Sequence, residues 1–136
     1  MTFKTFDEIK SNFDFMDEWE DRYAYIVELG REMPQFSECL KTEKNKVVGC
    51  ASQVWISLEK YNENNLDLLQ FRGDSDALIV RGLVSIVGSI YDKLPVSEIP
   101  KIDPFVKFKE LDLLNHLSTQ RSNGLFSLVK KIQHFS

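Results

Sequence analysis

Residues 77–91 are apolar almost without interruption, and this stretch constrains more than any other what the chain can fold into. Arg81, Gly82 and Gly88 are its main interruptions. At about fifteen residues, the stretch is shorter than the ~20 residues that a bilayer-spanning helix needs. A helix that is apolar on all sides has to be covered on all sides, so we predict a buried central helix. Its two glycines allow neighbouring backbones to approach closely.

A change to a period of two predicts the layer against which this helix packs. Between residues 54 and 61, apolar positions alternate with more polar ones, which is typical of a strand with one buried face. The polar run at residues 62–65 predicts a turn, and residues 66–71 predict the returning strand. Residues 46–48 are a candidate third strand. We therefore expect an α+β fold, with a small antiparallel sheet of about three strands covered by helices.

The N-terminal part of the chain predicts two helices. Thr5 and Glu8 have the spacing of a capping box, which starts a short helix with Phe6 and Ile9 facing inward. A second helix is predicted from about residue 14 to residue 30. Its apolar stripe recurs every three or four positions, which indicates core packing. The stripe consists of Phe15, Trp19, Tyr23, Ile26 and Leu29.

Capping residues and prolines predict how the remaining helices begin. The turn-like residues 73–76 offer N-caps for the central helix. Asp103 followed by Pro104 is typical of an N-cap and a first helical position, and it starts a short helix. Ser118 caps a final helix. The apolar residues of these last two helices are Phe105, Phe108 and Leu111, then Leu125, Leu128, Val129 and Ile132.

Length and charge bound the class of protein. The 136 residues contain no internal repeat or linker, so we expect a single domain spanning residues 1–136. There are 17 basic and 21 acidic residues, a net charge of −4, and no stretch with a concentrated basic face. Nucleic acid is therefore disfavoured as a partner, because phosphate neutralisation needs clustered basic residues. The first residues show no signal or transit pattern, so we expect a cytoplasmic protein without a membrane segment.

Familiar cofactor and catalytic motifs are missing from the sequence. It has no phosphate-binding loop, no dinucleotide-binding glycine motif, no nucleophile elbow and no Cys-x-x-Cys or His-Glu-x-x-His pattern. Its two cysteines and two distant histidines, His116 and His134, disfavour a tetrahedral zinc site. In a reducing compartment, Cys39 and Cys50 are expected to be thiols. We expect Cys39 to be a half-buried thiol without a role.

Three positions keep alternative interpretations from their placement alone. Cys50 follows Gly49 just before a strand, a position that suits a presented nucleophile and equally an inert structural cysteine. Asp74 and Asp76 are a close carboxylate pair, for which helix capping is favoured over acid–base chemistry. Arg121 is either part of a solvated helix face or a partner for an anionic thiolate or a carboxylate of another protein.

Several blocks of sequence share their order and spacing with a known family. They are Gly-Cys-Ala-Ser-Gln-Val-Trp at residues 49–55, Gly-Asp-Ser-Asp-Ala-Leu-Ile-Val-Arg-Gly-Leu at residues 73–83, and Leu-Ser-Thr-Gln-Arg-Ser-Asn-Gly-Leu at residues 117–125. Residues 19–34 are similar to the family's first helix and its exit. Together these blocks resemble the SufE family of sulfur-acceptor proteins over nearly the entire chain. Ala51 departs from the pattern, since many relatives carry a polar residue there.

The resemblance implies a fold and a function. The fold is the α+β architecture shared with IscU-type iron–sulfur scaffolds. The function is to accept sulfur from the persulfide of a pyridoxal-phosphate cysteine desulfurase of the SufS or CsdA type, to stimulate that enzyme, and to pass the sulfur to a SufBCD-type scaffold complex. No metal or organic cofactor is implied on this chain. It would be an accessory protein with a persulfide intermediate rather than a stand-alone enzyme.

The same resemblance implies which residues matter. Cys50 aligns with the acceptor cysteine, and Gln53, Asp74 and Arg121 lie in matched motifs as supporting or docking residues. We expect the thiol to rest against apolar side chains, such as Val54 and those of residues 79–83. Two alternatives are an iron–sulfur scaffold and a docking module without sulfur chemistry. The scaffold is disfavoured because it needs three cysteines and a further ligand, whereas this chain has two cysteines.

Overall fold

A long β-hairpin forms the sheet of this protein. The computed structural model describes residues 3–135, in which β1 (Val54–Glu63) pairs antiparallel with β2 (Leu66–Ser75) along the full length of both strands. The connecting residues Asn64 and Asn65 have φ angles of 54° and 66°. Positive φ at both central residues is typical of a type I′ turn, whose twist suits a hairpin, and asparagine tolerates that conformation. The predicted hairpin is therefore confirmed, with longer strands than expected.

The candidate third strand, residues 46–48, forms only a single β-bridge, so the sheet in the described residues has two strands. Lys46 bridges to Trp55, and the Val47 N–H donates to the Val54 carbonyl oxygen over 2.8 Å. Pairing does not continue because the chain turns directly afterwards, where Gly49 has a φ of 100°. The small antiparallel sheet and the α+β class are as predicted, and the number of strands is one fewer.

Five α-helices and three 3-10 turns surround the hairpin within residues 3–135. The helices are α1 (Phe6–Asp14), α2 (Trp19–Arg31), α3 (Leu78–Tyr91), α4 (Pro104–Glu110) and α5 (Thr119–Gln133). The 3-10 turns are Glu38–Leu40, Val96–Lys101 and Leu114–His116. The core lies around α3, which packs against α2, against β2 and against α5. This arrangement leaves the hairpin, α3 and α5 as the elements that frame the candidate site.

The apolar helix α3 is buried on nearly all sides, as predicted. Gly82 faces the main chain at Ile26 of α2, and a Cβ placed on Gly30 would lie 2.7 Å from the Gly82 nitrogen. The ring of Phe3 covers Gly88 in the same way. The two glycines of α3 therefore permit the close approach that the sequence indicated. None of the helices in the described range is long and apolar enough to cross a membrane.

Three predicted helix N-caps are confirmed, and one predicted helix start is wrong. The side chains of Thr5, Asp103 and Ser118 accept main-chain N–H groups at the starts of α1, α4 and α5. However, α2 begins at Trp19 instead of near residue 14, because α1 continues through Asp14. The turn between them is held by Arg22, whose Nε donates to the Met16 carbonyl oxygen over 2.9 Å. Phe15 consequently leaves the predicted stripe and is 86% exposed.

Candidate functional site

A cavity of about 390 Å³ lies beside Cys50. It is framed by residues 48–53, which we call the Cys50 loop, together with α3 and α5. Its apolar lining consists of Val54, Val80, Leu83, Val84, Leu125 and Leu128. The polar contributions come from the Cys50 loop and from Ser118, Gln120 and Arg121 near the start of α5. An apolar concavity with a few convergent polar groups is typical of a binding or reaction site.

Cys50 sits half-buried at the wall of this cavity. Its Sγ lies 3.7 Å from the carbonyl oxygen of Gly124 on α5, within the reach of a sulfur hydrogen bond. A Cβ on Gly124 would lie 3.2 Å from that sulfur, so the glycine makes room for the thiol. Burial raises the pKa of the Cys50 thiol above its ordinary value. The resting side chain is therefore a protonated thiol at neutral pH.

The N-terminal end of the Cys50 loop is defined by one hydrogen bond and one conformationally constrained glycine. The Val47 N–H donates to the carbonyl oxygen of Val54, which joins the start of the loop to the start of β1. Gly49 follows with a φ of 100°, a conformation that other residues rarely adopt. A Cβ at this position would also lie 2.6 Å from the Oγ of Ser127. Gly49 is thus required both by its backbone conformation and by its close approach to α5.

The C-terminal end of the loop is held at Gln53. The Gln53 N–H donates to Oδ1 of Asp76 over 3.1 Å, and the Gln53 carbonyl oxygen accepts from the Asp76 N–H over 3.2 Å. The side chain of Gln53 is exposed and does not line the cavity. Gln53, predicted as a supporting residue, therefore lies next to the site through its main chain. The role of its amide group stays a prediction.

Asp74 lies outside the cavity lining, in a separate charged cluster. It is in β2 opposite Trp55, so the helix-capping interpretation is wrong: α3 has Ala77 as its N-cap and no side-chain cap. Its largely buried carboxylate lies 3.0 Å from Nε of Arg81 and 3.4 Å from Nζ of Lys41. The Arg81 contact is an ion pair whose orientation does not form a hydrogen bond. Asp74 thereby connects β2 to α3 and to the Glu38–Leu40 turn.

Lys41 completes the charged cluster around Asp74. Its Nζ also lies 2.9 Å from Oε1 of Glu38 and 5.1 Å from the centre of the Trp55 ring. These surroundings raise the pKa of Lys41, chiefly through the hydrogen bond to Glu38 and further through Asp74. The ammonium group is consequently positively charged at neutral pH, and the cluster ties the segment before the Cys50 loop to the hairpin.

Arg121 is the predicted supporting residue that the fold brings to the cavity with Cys50. It lies in the first turn of α5, where its N–H is capped by the Ser118 side chain. Within residues 3–135, its guanidinium group forms no ion pair. The positive end of the α5 helix dipole lies at the same rim. Arg121 is therefore a basic residue in the lining of the cavity that also holds Cys50.

Cys39 and His116 lie apart from this site. Cys39 is exposed on the Glu38–Leu40 turn, with its Sγ 3.0 Å from Oγ of Ser37, so the half-buried position that we expected is wrong. The His116 ring stacks on Trp19 with 4.1 Å between ring centres, and it is not part of the cavity lining. No cluster of three or more His, Cys, Asp or Glu side chains within residues 3–135 could hold a metal ion.

Sequence reasoning missed two residues that position Cys50. Gly124 interrupts the α5 pattern, and a glycine inside a helix is a signal for close approach that we could have used. Asp76 was interpreted as a helix cap together with Asp74, whereas its carboxylate holds the Cys50 loop. No local pattern distinguishes these two uses of an aspartate before a helix. The difference depends on the position of Gln53, which is 23 residues away in the sequence.

The fold and the site define a small α+β protein that holds one thiol half-buried at a largely apolar cavity, with Arg121 among the lining residues. A sequence profile of the SufE family, described as "Fe-S metabolism associated domain", matches residues 7–136. The chain belongs to the SufE family, which agrees with the resemblance that its sequence blocks indicated.

Similar proteins support both the family and the fold. An uncharacterised SufE-like protein of Rhizobium etli is 49% identical over 127 residues, covering 93% of this chain and 86% of that protein. One of Rhizobium meliloti is 48% identical, covering 93% and 91%. The solution structure of a hypothetical protein from Thermus thermophilus has a TM-score of 0.69 at 16% identity, covering 98% of this chain and 93% of that one. At that identity, the likeness shows the fold alone.

Proposed function

We propose that this protein is a sulfur carrier of the cytoplasm. It accepts sulfur on Cys50 from the persulfide of a pyridoxal-phosphate cysteine desulfurase of the SufS or CsdA type, stimulates that enzyme, and delivers the sulfur for iron–sulfur cluster assembly. Membership in a family associated with Fe–S metabolism supports this role. The observation that carries the proposal is the position of Cys50, half-buried at an apolar cavity that is framed by matched family blocks.

The proposed transfer is a thiol–disulfide exchange. The Cys50 thiolate attacks the terminal sulfur of the donor persulfide, so that a bond forms between Cys50 Sγ and that sulfur. The bond between the terminal sulfur and the donor cysteine breaks, and the donor leaves as a thiolate. The proton that Cys50 releases balances the proton that the donor thiolate finally binds. The reaction involves no net oxidation and needs no cofactor on this chain.

Burial of Cys50 supports storage of the sulfur. Because its pKa is raised, the resting thiol has little thiolate and reacts slowly with small oxidants and disulfides. The cavity of about 390 Å³ leaves room for one further sulfur atom against Val54, Leu83 and Leu125. Apolar walls of this kind exclude water and small thiols from a bound persulfide. Productive transfer then requires the desulfurase to bring its persulfide to the loop, or the loop to leave the wall.

The three supporting residues have different proposed roles. Arg121 at the cavity rim stabilises the negative charge of a persulfide on Cys50, because a guanidinium group attracts a nearby anion. Gln53 presents an exposed amide at the C-terminal end of the loop, where a partner can contact it. Asp74 organises the adjacent charged cluster through Lys41 and Arg81, which supports docking near the start of β1. A SufBCD-type scaffold complex is the proposed onward acceptor.

The test is transfer of sulfur followed by mass spectrometry of the intact protein. Wild type, Cys39→Ser and Cys50→Ser are each incubated with a SufS-type desulfurase and cysteine, and a parallel sample omits cysteine. We expect wild type and Cys39→Ser to gain one sulfur atom that a reducing agent removes, and Cys50→Ser to gain none. A gain that survives Cys50→Ser, or no gain in wild type, contradicts the proposal. Binding of iron during anaerobic reconstitution would instead indicate a scaffold.

A further inference from the structure

The cavity rim at the start of α5 extends beyond the buried part of that helix. The rim consists of Ser118, Gln120 and Arg121, of which the first two are exposed and the third is half-buried. The first buried residue of α5 is Leu125, more than one helical turn further on. The core therefore holds the later turns of α5 directly, whereas the position of the rim depends on the segment that leads into it.

That segment is the 3-10 turn Leu114–His116. On its inner side, the fully buried Leu113 and the half-buried Leu117 pack against the core. On its outer side, the ring of His116 stacks on Trp19, the first residue of α2, with 4.1 Å between ring centres and 17° between ring planes. The two rings are thus nearly parallel and in contact, so the stack joins the outer edge of the turn to α2.

Both rings of the stack are held by further contacts. Trp19 also packs edge-to-face on Phe13, a buried residue of α1, with 6.3 Å between ring centres. Nδ1 of His116 lies 3.0 Å from the main-chain carbonyl oxygen of Asp112, within hydrogen-bond distance. These contacts orient each ring from its own side, so the stack fixes the turn relative to the first two helices.

We propose that the stack of Trp19 and His116 positions the cavity rim for sulfur transfer to Cys50. One residue separates His116 from Ser118, which caps α5 by accepting the Arg121 N–H over 3.2 Å. A displaced turn would therefore displace both the cap and the rim side chains. Neither ring is part of the cavity lining, so both are positioning residues. The inference rests on the proposed function for its significance, whereas the order of the rim can be measured on the isolated protein.

Two substitutions of His116 separate the ring contact from the hydrogen bond. His116→Phe keeps a flat ring over Trp19 and removes the nitrogen atom that faces the Asp112 carbonyl oxygen. His116→Asn keeps a polar group near that oxygen and removes the ring. If the stack positions the rim, the phenylalanine variant behaves like the parent protein and the asparagine variant does not.

Phe126→Ala is the matched control. Phe126 lies in α5, is 44% exposed, and its ring centre is 5.1 Å from that of Phe105, so this variant also loses one aromatic contact near the surface. It is not part of the cavity lining. All proteins carry Cys39→Ser, so that Cys50 is their single thiol.

Amide hydrogen exchange measures the order of the rim. The N–H groups of Arg121 and Glu8 are equivalent, since each donates to the hydroxyl oxygen of an N-cap residue over 3.2 Å, in α5 and in α1. We expect His116→Asn to speed exchange at Arg121 by roughly two- to tenfold, the factor that corresponds to one aromatic pair. Exchange at Glu8 should not change. His116→Phe and Phe126→Ala should leave both amides as in the parent protein.

Sulfur loading measures the consequence for transfer. The same proteins are incubated with the desulfurase and cysteine, and the gain of sulfur is followed by mass spectrometry. We expect His116→Asn to load several-fold more slowly, because the rim no longer meets Cys50 in one arrangement. His116→Phe and Phe126→Ala should load at the parent rate. Rescue by a ring without a hydrogen-bonding atom would show that the stack carries the effect.

Several results would overturn the inference. They are unchanged exchange at Arg121 in His116→Asn, an equal change in Phe126→Ala, or a His116→Phe protein that behaves like His116→Asn. Parent-like sulfur loading in His116→Asn would also overturn it, because the ordered rim would then have no part in transfer.

One measurement needs no variant. The absence of a nuclear Overhauser contact between the rings of Trp19 and His116 in the parent protein would overturn the inference even if His116→Asn does not fold. If the parent protein itself gains no sulfur, the proposed function fails, while the exchange and ring-contact results still judge whether the stack orders the rim.

Discussion

The two cysteines of this chain lie in opposite environments. Cys39 is exposed on a 3-10 turn beside Ser37, whereas Cys50 is half-buried between its loop and α5. If accessibility alone marked a reactive thiol, Cys39 would be the candidate. The family blocks surround Cys50 instead, and so does the cavity. For a group that has to hold labile sulfur between two partners, shelter matters more than immediate access, and the proposed carrier is the less accessible cysteine.

The difference in accessibility between Cys39 and Cys50 should change most when an apolar side chain is removed from the cavity wall beside Cys50. Leu125 is 3% exposed and lines the cavity, so Leu125→Ala should lower the free energy of unfolding by about 2–5 kcal/mol. The loss of the wall should also raise the alkylation rate of Cys50 while leaving that of Cys39 unchanged. Denaturant unfolding and mass-resolved alkylation measure the two effects.

Leu111→Ala is the matched control for that variant. Leu111 is 2% exposed, follows α4 and is not part of the cavity lining. Its replacement should cost a similar free energy of unfolding without changing the alkylation rate of Cys50. Equal acceleration in both variants would mean that Cys50 reacts through general unfolding, and the wall would then have no specific sheltering effect.

The contrast itself can be measured with a bulky maleimide. The Cys50→Ser protein keeps only Cys39, and the Cys39→Ser protein keeps only Cys50. Under native conditions we expect Cys39 to react about tenfold faster than Cys50, because Cys50 reacts only after a local opening of its loop. In denaturant the two rates should become similar. Equal rates in the native proteins would remove the distinction between an exposed and a sheltered thiol.

A smaller change is expected from Gly124→Ala. The new Cβ would lie 3.2 Å from Cys50 Sγ, so the thiol has to move outward by a few tenths of an ångström. Replacing glycine inside α5 should raise the free energy of unfolding by up to about 1 kcal/mol. We expect a more stable protein with a faster-reacting Cys50. Asn123→Ala, at a neighbouring exposed position, should leave the Cys50 alkylation rate unchanged, and an equal rise there would contradict the steric explanation.

The smallest effect concerns pH. Because burial raises the pKa of Cys50, its alkylation in the native Cys39→Ser protein should reach half of its maximal rate at a higher pH than in urea. The raised pKa also sets how the free energy of unfolding depends on pH. The protonated Cys50 thiol contributes stability at pH values below its pKa in the unfolded protein. This contribution is lost as the pH rises through its pKa in the folded protein. Coincident pH profiles would show that the thiol is not desolvated.

Much of the fold could be predicted because its signals are local. The alternation in residues 54–61, the apolar run of α3 and the caps Thr5, Asp103 and Ser118 each depend on residues within a few positions of one another. The errors occurred where a distant contact decides. Arg22 delays the start of α2 by holding the preceding turn, and the turn at Gly49 ends the pairing of the third segment.

The candidate site was predictable in its main residue and less so in its geometry. Family blocks indicated Cys50 and Arg121, which the fold brings to one cavity. They also indicated Asp74, which forms a separate charged cluster. The contact between Cys50 and Gly124 joins residues 74 positions apart, and no local pattern encodes such a pair. Val54 and residues 79–83 were predicted beside the thiol, and Val54, Val80 and Leu83 line the cavity, whereas the contribution of α5 followed only from its packing against the loop.

The hairpin also separates two ends of the molecule. β1 begins beside the Cys50 loop and ends at the Asn64–Asn65 turn, and ten extended residues span about 30 Å. A protein that covers Cys50 can therefore leave the tip of the hairpin uncovered. That tip is a convenient handle: a fluorophore attached at the exposed Glu63 would report the rotational slowing that accompanies complex formation without entering the contact itself.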